Sequence, residues 1–365
     1  MRVLLKNLGP LKQAEFELGD MTIICGENNT GKTYATYALF GFLSYWREAF
    51  QVSVNDKKIM ELLQDGVTTI ELQGYIEQAD KIVARGSAEY LKRLPRVFAS
   101  STKLFADTGF MIKLNSNEIR PSNKFEQRIG AMETELFLIS KAAEQNSVVV
   151  TLLVEMEKVR LDRKAIEQII GDAIKSIIFG NVFPKPFIAS AERTGAAIFR
   201  KELDFARNRF LDQMSAMDKK FDPFELFERA YSDYALPVQR NVDFTRTVED
   251  LKKYQSYISL HHHELLDEFA DIIGGHYSVA RNGTLYFTPK GKRLKLTMDE
   301  SSSAVRSLLD VGFYLRHVAQ RGDMLMVDEP ELNLHPENQR RIARLFAQLM
   351  NCGIKIFVTT HSDYI

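Results

Sequence analysis

Apolar and polar positions alternate in "RVLLKN" and "AEFEL" near the start of the chain, the two-residue period of strands with one wet face. "MTIIC" is a short, nearly continuous apolar run and predicts a third strand. From Tyr34 to Phe50 the spacing changes to that of a helix. Between Gln51 and Asn181 the pattern is mixed: "VTTIEL", "FMIKL" and "SVVVTLLV" predict strands, whereas "IEQADKIVARGSAEYLKRL" and "RKAIEQIIGDAIKSIIF" predict helices. "KPFIASAER" reads as a strand and the loop after it, and Ala196 to Asp271 as mostly helical, broken by proline near "FDPF" and "ALPVQ". "HYSVARNGTLYFTP" predicts a hairpin, because Asn282 and Gly283 both tolerate the positive φ of a tight two-residue turn. One helix is predicted over "SSSAVRSLLDVGFYLRHVAQ" and a strand over "DMLMVDEPE". Another helix is predicted over "HPENQRRIARLFAQLM", with Pro336 in its first turn and Ile342, Leu345, Phe346 and Leu349 on one face. "GIKIFVTTHSDYI" ends the chain as a further buried strand. No internal repeat, low-complexity tract or sustained heptad pattern is present.

Composition narrows the class. A chain of 365 residues with 45% apolar and 26% charged positions has material for a sizeable core, as one large domain with insertions or as two lobes. Lys plus Arg and Asp plus Glu both number 48, so global charge does not point to a polyanion partner, although a local basic face stays open. No apolar run approaches the roughly 18–20 residues of a membrane helix, and the start has too short an apolar stretch for a signal peptide. The expected compartment is the cytoplasm. Cys25 and Cys352 lie in apolar, strand-like surroundings and are expected to be reduced, buried packing residues.

The chemistry concentrates in two segments. "GENNTGKT" follows the strand "MTIIC", opens a helix, and matches G-x-x-x-x-G-K-[ST]. Gly26 and Gly31 let the backbone curl so that its N–H groups and the helix dipole form an anion site across Gly26, Glu27, Asn28, Asn29, Thr30 and Gly31. Lys32 adds a positive charge for β- and γ-phosphates, and Thr33 a hydroxyl for Mg²⁺. Such a loop needs a distant carboxylate for the metal. "MLMVDEPE" supplies Asp328 at the end of a buried strand, with Glu329 next, suited to orient and partly deprotonate an attacking water. The implied ligands are ATP and Mg²⁺.

"GENNTGKT", "MVDEPELNLHPENQ" and "FVTTHSDYI" together resemble the ABC-type ATPases of the SMC/RecF/OLD group. Within that group the chain is most similar to AAA-family ATPases of bacterial anti-phage systems, such as the PtuA type of Septu and some retron loci. The resemblance covers about residues 1–50 and 275–365, with "FIASAERTG" as a further matching segment. It implies an α/β P-loop NTPase fold with an ABC-type head, a mixed central sheet flanked by helices, and a large, mainly helical insertion. The corresponding domain plan is a split core (1–50 and 275–365), a mixed α/β part (51–185), a core strand and loop (186–195) and a helical insertion (196–274) that binds a partner or substrate. The resemblance further implies that Asn28 belongs to the phosphate loop, that Asp328 holds the magnesium and Glu329 is the hydrolytic carboxylate, and that His361 senses the γ-phosphate. It also implies that "ELNLHP" faces a partner subunit, and that Ser302 and Ser303 in "ESSSAVRSL" complete the site of a second copy. ATP is then clamped in a homodimer, with a higher oligomer possible in such systems.

Departures from the family pattern are local. Asn29 stands where glycine is frequent, and asparagine is the non-glycine residue that best tolerates positive φ. Ser301, Ser302, Ser303 and Ala304 replace a Ser-Gly-Gly signature, so close backbone approach is harder. No clear glutamine loop follows the first helix; Glu192 and Arg193 either do part of its work or form a salt-bridged strand end. Lys32 and Ser302 are 302 − 32 = 270 positions apart, with no long coiled coil between them. "HHHELLDE", His261 to Glu268, is expected to be a wet helical face, since three consecutive histidines on a helix point three ways. "KGKRLK", Lys290 to Lys295, reads as a solvated turn or as a contact for nucleic-acid phosphates. No nuclease constellation is present; either the chain is a fragment of a longer protein or its effector is a separate polypeptide, expected to be a nuclease. Three functions follow: an ATP-driven switch controlling an effector in anti-phage defence, a DNA-repair or chromosome-maintenance ATPase that binds DNA directly, and a nucleotide-locked scaffold that barely turns over.

Overall fold

The computed structural model describes residues 1–115, 118–131, 134–154, 162–198, 234–280 and 283–365. The turn residue Asn282, and most of the segment between Ala196 and "ALPVQ" read above as helical, lie outside the described residues. The chain divides into two compact units. One comprises Met1–Leu4, Phe42–Lys92 and Phe110–Pro184; the other comprises Leu5–Gly41, Arg93–Gly109 and Lys185–Ile365.

The strands β1 (Arg2–Leu8) and β2 (Leu11–Glu17) alternate in burial over Arg2–Lys6 and Ala14–Glu17, much as their sequences predict, and β5 (Gly109–Lys113) alternates too. The second unit is built on a parallel four-stranded sheet of order β3 (Met21–Cys25), β14 (Lys355–Thr360), β13 (Met324–Asp328) and β9 (Pro186–Ala189). β13 is buried at every position and β14 at every position after Lys355, the continuous apolar signature of a parallel sheet covered on both faces. The registers bring the strand ends level: Thr360 pairs with Cys25, Asp328 with Thr359, and Val327 with Ala189. Whatever follows those residues emerges on one edge, the carboxyl end of the strands, where open α/β sheets bind ligands.

The helix Pro336–Asn351 buries Ile342, Leu345, Phe346 and Leu349, the face its sequence predicts. His335 caps its start by accepting from Glu337 N. Beneath the sheet, Phe187 stacks on Tyr314 with ring centroids 4.3 Å apart and meets Phe244 edge-on at 4.8 Å. The hairpin forms from β10 (Gly275–Val279) and β11 (Leu285–Pro289), and β12 (Leu296–Thr297) pairs antiparallel with β11.

The first unit carries an antiparallel sheet of order β4 (Val67–Glu71), β8 (Ser147–Leu152), β7 (Thr134–Lys141) and β6 (Phe125–Ala131). Its core is aromatic: Trp46, Phe50, Phe179 and Phe183 pack at centroid distances from 5.1 to 6.4 Å. Gly86 exists because of this packing, since a Cβ there would lie 2.1 Å from Phe50 Cδ1. Lys175 is buried, yet its ammonium is satisfied by the carbonyls of Arg47 (2.5 Å) and Phe50 (3.1 Å) and by Asp172 (2.6 Å). It thereby caps the end of the helix Lys32–Ala49 with a positive charge.

Several expectations are corrected. Cys25 is exposed and Cys352 half-buried, because each sits at the end of its element, Cys25 on an edge strand and Cys352 at a helix C-terminus. The single helix expected from the triple serine divides into Ser303–Ser307 and Leu309–His317, with Leu308 at φ −106° and ψ 5° between them. "HHHELLDE" is not one helix: His261 closes Tyr257–His261, His262 leaves helical geometry, and His263 opens His263–Ile273. The basic residues from Lys290 to Lys295, by contrast, are exposed as a solvated turn would have them, with Lys290 paired to Asp271 at 2.5 Å.

Candidate functional site

The loop after β3 is shaped by its backbone. Asn29 takes φ 61° and Gly31 φ 94°, the left-handed region where asparagine and glycine are least penalised. A side chain at Gly31 would also collide with Leu11, with a Cβ only 2.5 Å from Leu11 Cγ. Thr30 Oγ1 donates to Glu27 O at 2.8 Å and Ala35 N to Gly31 O at 3.1 Å, joining the loop to the helix Lys32–Ala49. Glu27, Asn28, Asn29 and Thr30 are exposed, whereas Gly31 and Lys32 are buried. The Lys32 ammonium donates to Gly26 O (2.8 Å) and Glu27 O (2.7 Å) and lies 3.2 Å from His361 Nδ1.

On the neighbouring strands, Asp328 ends β13 almost fully buried. Its Oδ1 accepts from Thr359 Oγ1, and its carboxylate also faces the Thr33 hydroxyl. Burial raises its pKa above the ordinary range; the Thr359 hydrogen bond opposes this and the Glu329 charge adds to it. Oδ2 is buried and has no hydrogen-bond partner. An orphaned, desolvated carboxylate oxygen beside a threonine hydroxyl is an incomplete donor set of hard oxygens, and it fits a divalent cation. Among the described residues no cluster of three His, Cys, Asp or Glu side chains forms a protein-only cage.

Glu329 turns away from the strand at φ 51°. Its amide donates to Thr359 O at 3.0 Å and its Oε1 lies 2.8 Å from His361 Nε2. A proton on Nε2 serves the carboxylate and leaves Nδ1 to accept from Lys32; Nδ1 and Gly26 O, 2.9 Å apart, are then two acceptors that share the Lys32 ammonium. One imidazole therefore touches the phosphate loop, its lysine and the carboxylate after β13.

Ser302 and Ser303 stand apart from this cluster. Both are exposed, and among the described residues their bonds are local: Ser302 Oγ accepts from Val305 N at 3.3 Å and Ser303 Oγ from Arg306 at 3.4 Å.

Sequence reasoning missed two features and left a third open. Glu331, the third carboxylate of "DEPE", accepts from Thr360 Oγ1 (2.8 Å) and His361 N (2.7 Å), and so fixes the end of β14. Its signal was its place in the acidic run. Tyr37 donates to Glu192 Oε2 at 2.8 Å; burial, reinforced by the Glu192 charge, pushes its pKa up. Arg193 forms no salt bridge with Glu192: it is buried and bonded to backbone carbonyls, so the salt-bridged strand end is set aside.

Among the described residues no helix is long and apolar enough to cross a membrane. A search of curated proteins gave no match. Among solved structures, the chain is similar to an SMC head bound to the C-winged helix domain of ScpA, at 12% identity and TM-score 0.37, covering all of this chain and 89% of that one. It is similar to the SMC head domain from Thermotoga maritima, at 12% identity and TM-score 0.32 with the same coverage. A third is an SMC head with an extended coiled coil, bound to the C-terminal domain of ScpA derived from Pyrococcus furiosus, at 15% identity, TM-score 0.34 and again the same coverage. With the phosphate-loop sequence at the carboxyl edge of a parallel sheet and the family match running over residues 1–365, this α/β P-loop protein belongs to the family described as AAA ATPase domain.

Proposed function

We propose that the protein is a magnesium-dependent, ATP-hydrolysing switch that closes ATP between two copies of the chain and governs a separate effector in anti-phage defence. The observation that supports it most is the convergence of Lys32, Thr33, the unpartnered Asp328 Oδ2 and the Glu329–His361 pair at the level ends of three adjacent parallel strands.

The loop from Gly26 to Gly31 presents backbone N–H groups to the phosphates, and the Lys32 ammonium moves from the carbonyls of Gly26 and Glu27 onto the β- and γ-oxygens. Thr33 and Asp328 hold the magnesium, which when bound neutralises charge developing on the phosphate oxygens. Glu329 orients a water and takes its proton at the carboxylate, while His361 Nε2 keeps that carboxylate in place. His361 Nδ1, beside Lys32 and Gly26 O, makes the same ring responsive to what occupies the loop. The exposed hydroxyls of Ser302 and Ser303, unused by their own site, are available to a nucleotide held by a second copy. The insertion between the two halves of the core, and the motif resemblance to the PtuA type, support effector control.

Sedimentation with Glu329→Gln tests the reading. The variant binds ATP, does not hydrolyse it, and accumulates as a dimer. A variant that stays monomeric while the wild type dimerises with ATP overturns the assignment of Glu329, and a wild type that never releases phosphate overturns hydrolysis.

A further inference from the structure

Arg193 is buried to 1% exposure, and all three of its nitrogens are spent on main-chain oxygens. Nε donates to Ser307 O at 2.5 Å, one terminal nitrogen donates to Ser190 O at 2.7 Å and Asp328 O at 2.6 Å, and the other to Glu329 O at 2.9 Å. These carbonyls belong to three separate segments: the loop after β9, the end of β13, and the short helix Ser303–Ser307 that follows the serine run. Planar guanidinium is the one side chain with enough fixed donors to hold four such acceptors at once.

The backbone it holds is unusual. Glu329 sits at φ 51°, in the left-handed region that penalises a non-glycine residue. That turn points the Asp328 and Glu329 carbonyls together at Arg193 and leaves the Glu329 side chain facing His361. A buried cation also needs compensation. Asp310 is buried nearby with its Oδ2 unpartnered, and its charge is the largest of the opposing influences on Arg193.

We propose that Arg193 is the positioning residue of the site: it holds the backbone turn at Asp328–Glu329 in its reactive geometry and ties that turn to the Ser303–Ser307 segment. The inference rests on the reading of Asp328 and Glu329 given above. It adds that their placement is set by a side chain that touches neither nucleotide nor metal. Because Ser307 O shares the guanidinium with Asp328 O and Glu329 O, a change in the segment carrying Ser303 reaches the hydrolytic carboxylate through one cation.

The test uses the full chain and two variants, Arg193→Lys, which keeps the charge but lacks the fork, and Arg193→Met, which removes it. Thermal unfolding, affinity for a fluorescent ATP analogue with magnesium, single-turnover phosphate release, and peptide-level hydrogen exchange are measured on each. In Arg193→Lys we expect affinity within about threefold of wild type, phosphate release slowed on the order of a hundredfold, and exchange over residues 328–334 faster by about tenfold, with the loop 26–32 unchanged. Arg193→Met shows the same split, more strongly. If exchange over 328–334 stays at the wild-type rate in both variants, the proposal fails, whatever the activity. If binding, folding and turnover fall together in both, Arg193 is a general scaffold residue and the proposal fails as well. If exchange changes as expected but the wild type releases no phosphate, the hydrolytic reading fails while the positioning role of Arg193 stands.

Discussion

His361 Nε2 lies 2.8 Å from Glu329 Oε1, while Nδ1 of the same ring lies 2.9 Å from Gly26 O in the phosphate loop. Two segments 32 residues apart are thus joined at the carboxylate, and the ring extends the link to a loop 335 residues away in sequence. Replacing His361 with alanine removes the group that orients Glu329 but leaves Lys32 and the loop backbone intact. The expected outcome is a fall in single-turnover hydrolysis on the order of a hundredfold with nucleotide affinity changed by less than about threefold. Equal losses in both measurements would assign His361 to binding instead.

Lys32 gives the opposite signature. Its ammonium is buried and held by two loop carbonyls, so it is oriented before any anion arrives. Lys32→Ala deletes the only cation that the described contacts place on the loop. Calorimetric titration with ATP is expected to show affinity reduced by about a hundredfold or more, because charge-assisted bonds to phosphate are among the strongest available. Retained affinity would place the nucleotide elsewhere.

The parts of this site that were legible in the sequence are those carried by backbone chemistry and strand ends. Gly31, Asn29 and Lys32 announce a curl before a helix, and "MLMVD" announces a buried strand ending in a carboxylate. Arg193 was noticed but its role was not readable, because its partners are carbonyls, which have no residue identity. β6 and β7 escaped for a different reason. β6 is an edge strand bearing Glu126, Gln127 and Arg128, with a register shift between Ile129 and Gly130, so its alternation is faint. The helix Asp56–Asp65 was legible in principle: Asn55 caps its start by accepting from Lys57 N, and Gly66 closes it at φ 73°. The break at Leu308 follows Ser307, which bonds Arg193 and the Leu332 carbonyl, and Cys25 is exposed on a strand whose edge position is set by pairing with β14; local periodicity records neither contact.

Packing around Phe50 supplies a stability prediction independent of function. Gly86 lets the helix Ala79–Leu91 approach so closely that an added methyl would fall 2.1 Å from Phe50 Cδ1. Helix propensity favours alanine over glycine by about 1 kcal/mol, but forcing Phe50 out of the cluster of Trp46, Phe179 and Phe183 costs about 1–3 kcal/mol. Gly86→Ala is therefore expected to lower stability in chemical denaturation, and the double variant Gly86→Ala with Phe50→Leu to recover part of the loss. A stabilised Gly86→Ala would mean that the ring moves aside freely.

Asp310 makes the pH dependence of folding a test of the buried polar core. Burial raises its pKa from the ordinary 3.8 to about 7, against the opposing charge of Arg193 and a hydrogen bond from Thr245. Tyr277 also senses it, and burial keeps that phenol neutral. Between about pH 4 and 7 the folded chain holds a proton on Asp310 that the unfolded chain has released, so this group's contribution falls as pH rises through that window. The gap from 3.8 to about 7 corresponds to a penalty on the order of 4 kcal/mol once the carboxylate is ionised in the fold. Asp310→Asn keeps the shape and removes the titration. Denaturant midpoints measured from pH 4 to 8 are expected to decline with pH in the wild type more steeply than in Asp310→Asn, and the two curves to diverge towards neutral pH. Parallel curves would show that Asp310 stays ionised through the whole range, with Arg193 as a full counter-charge.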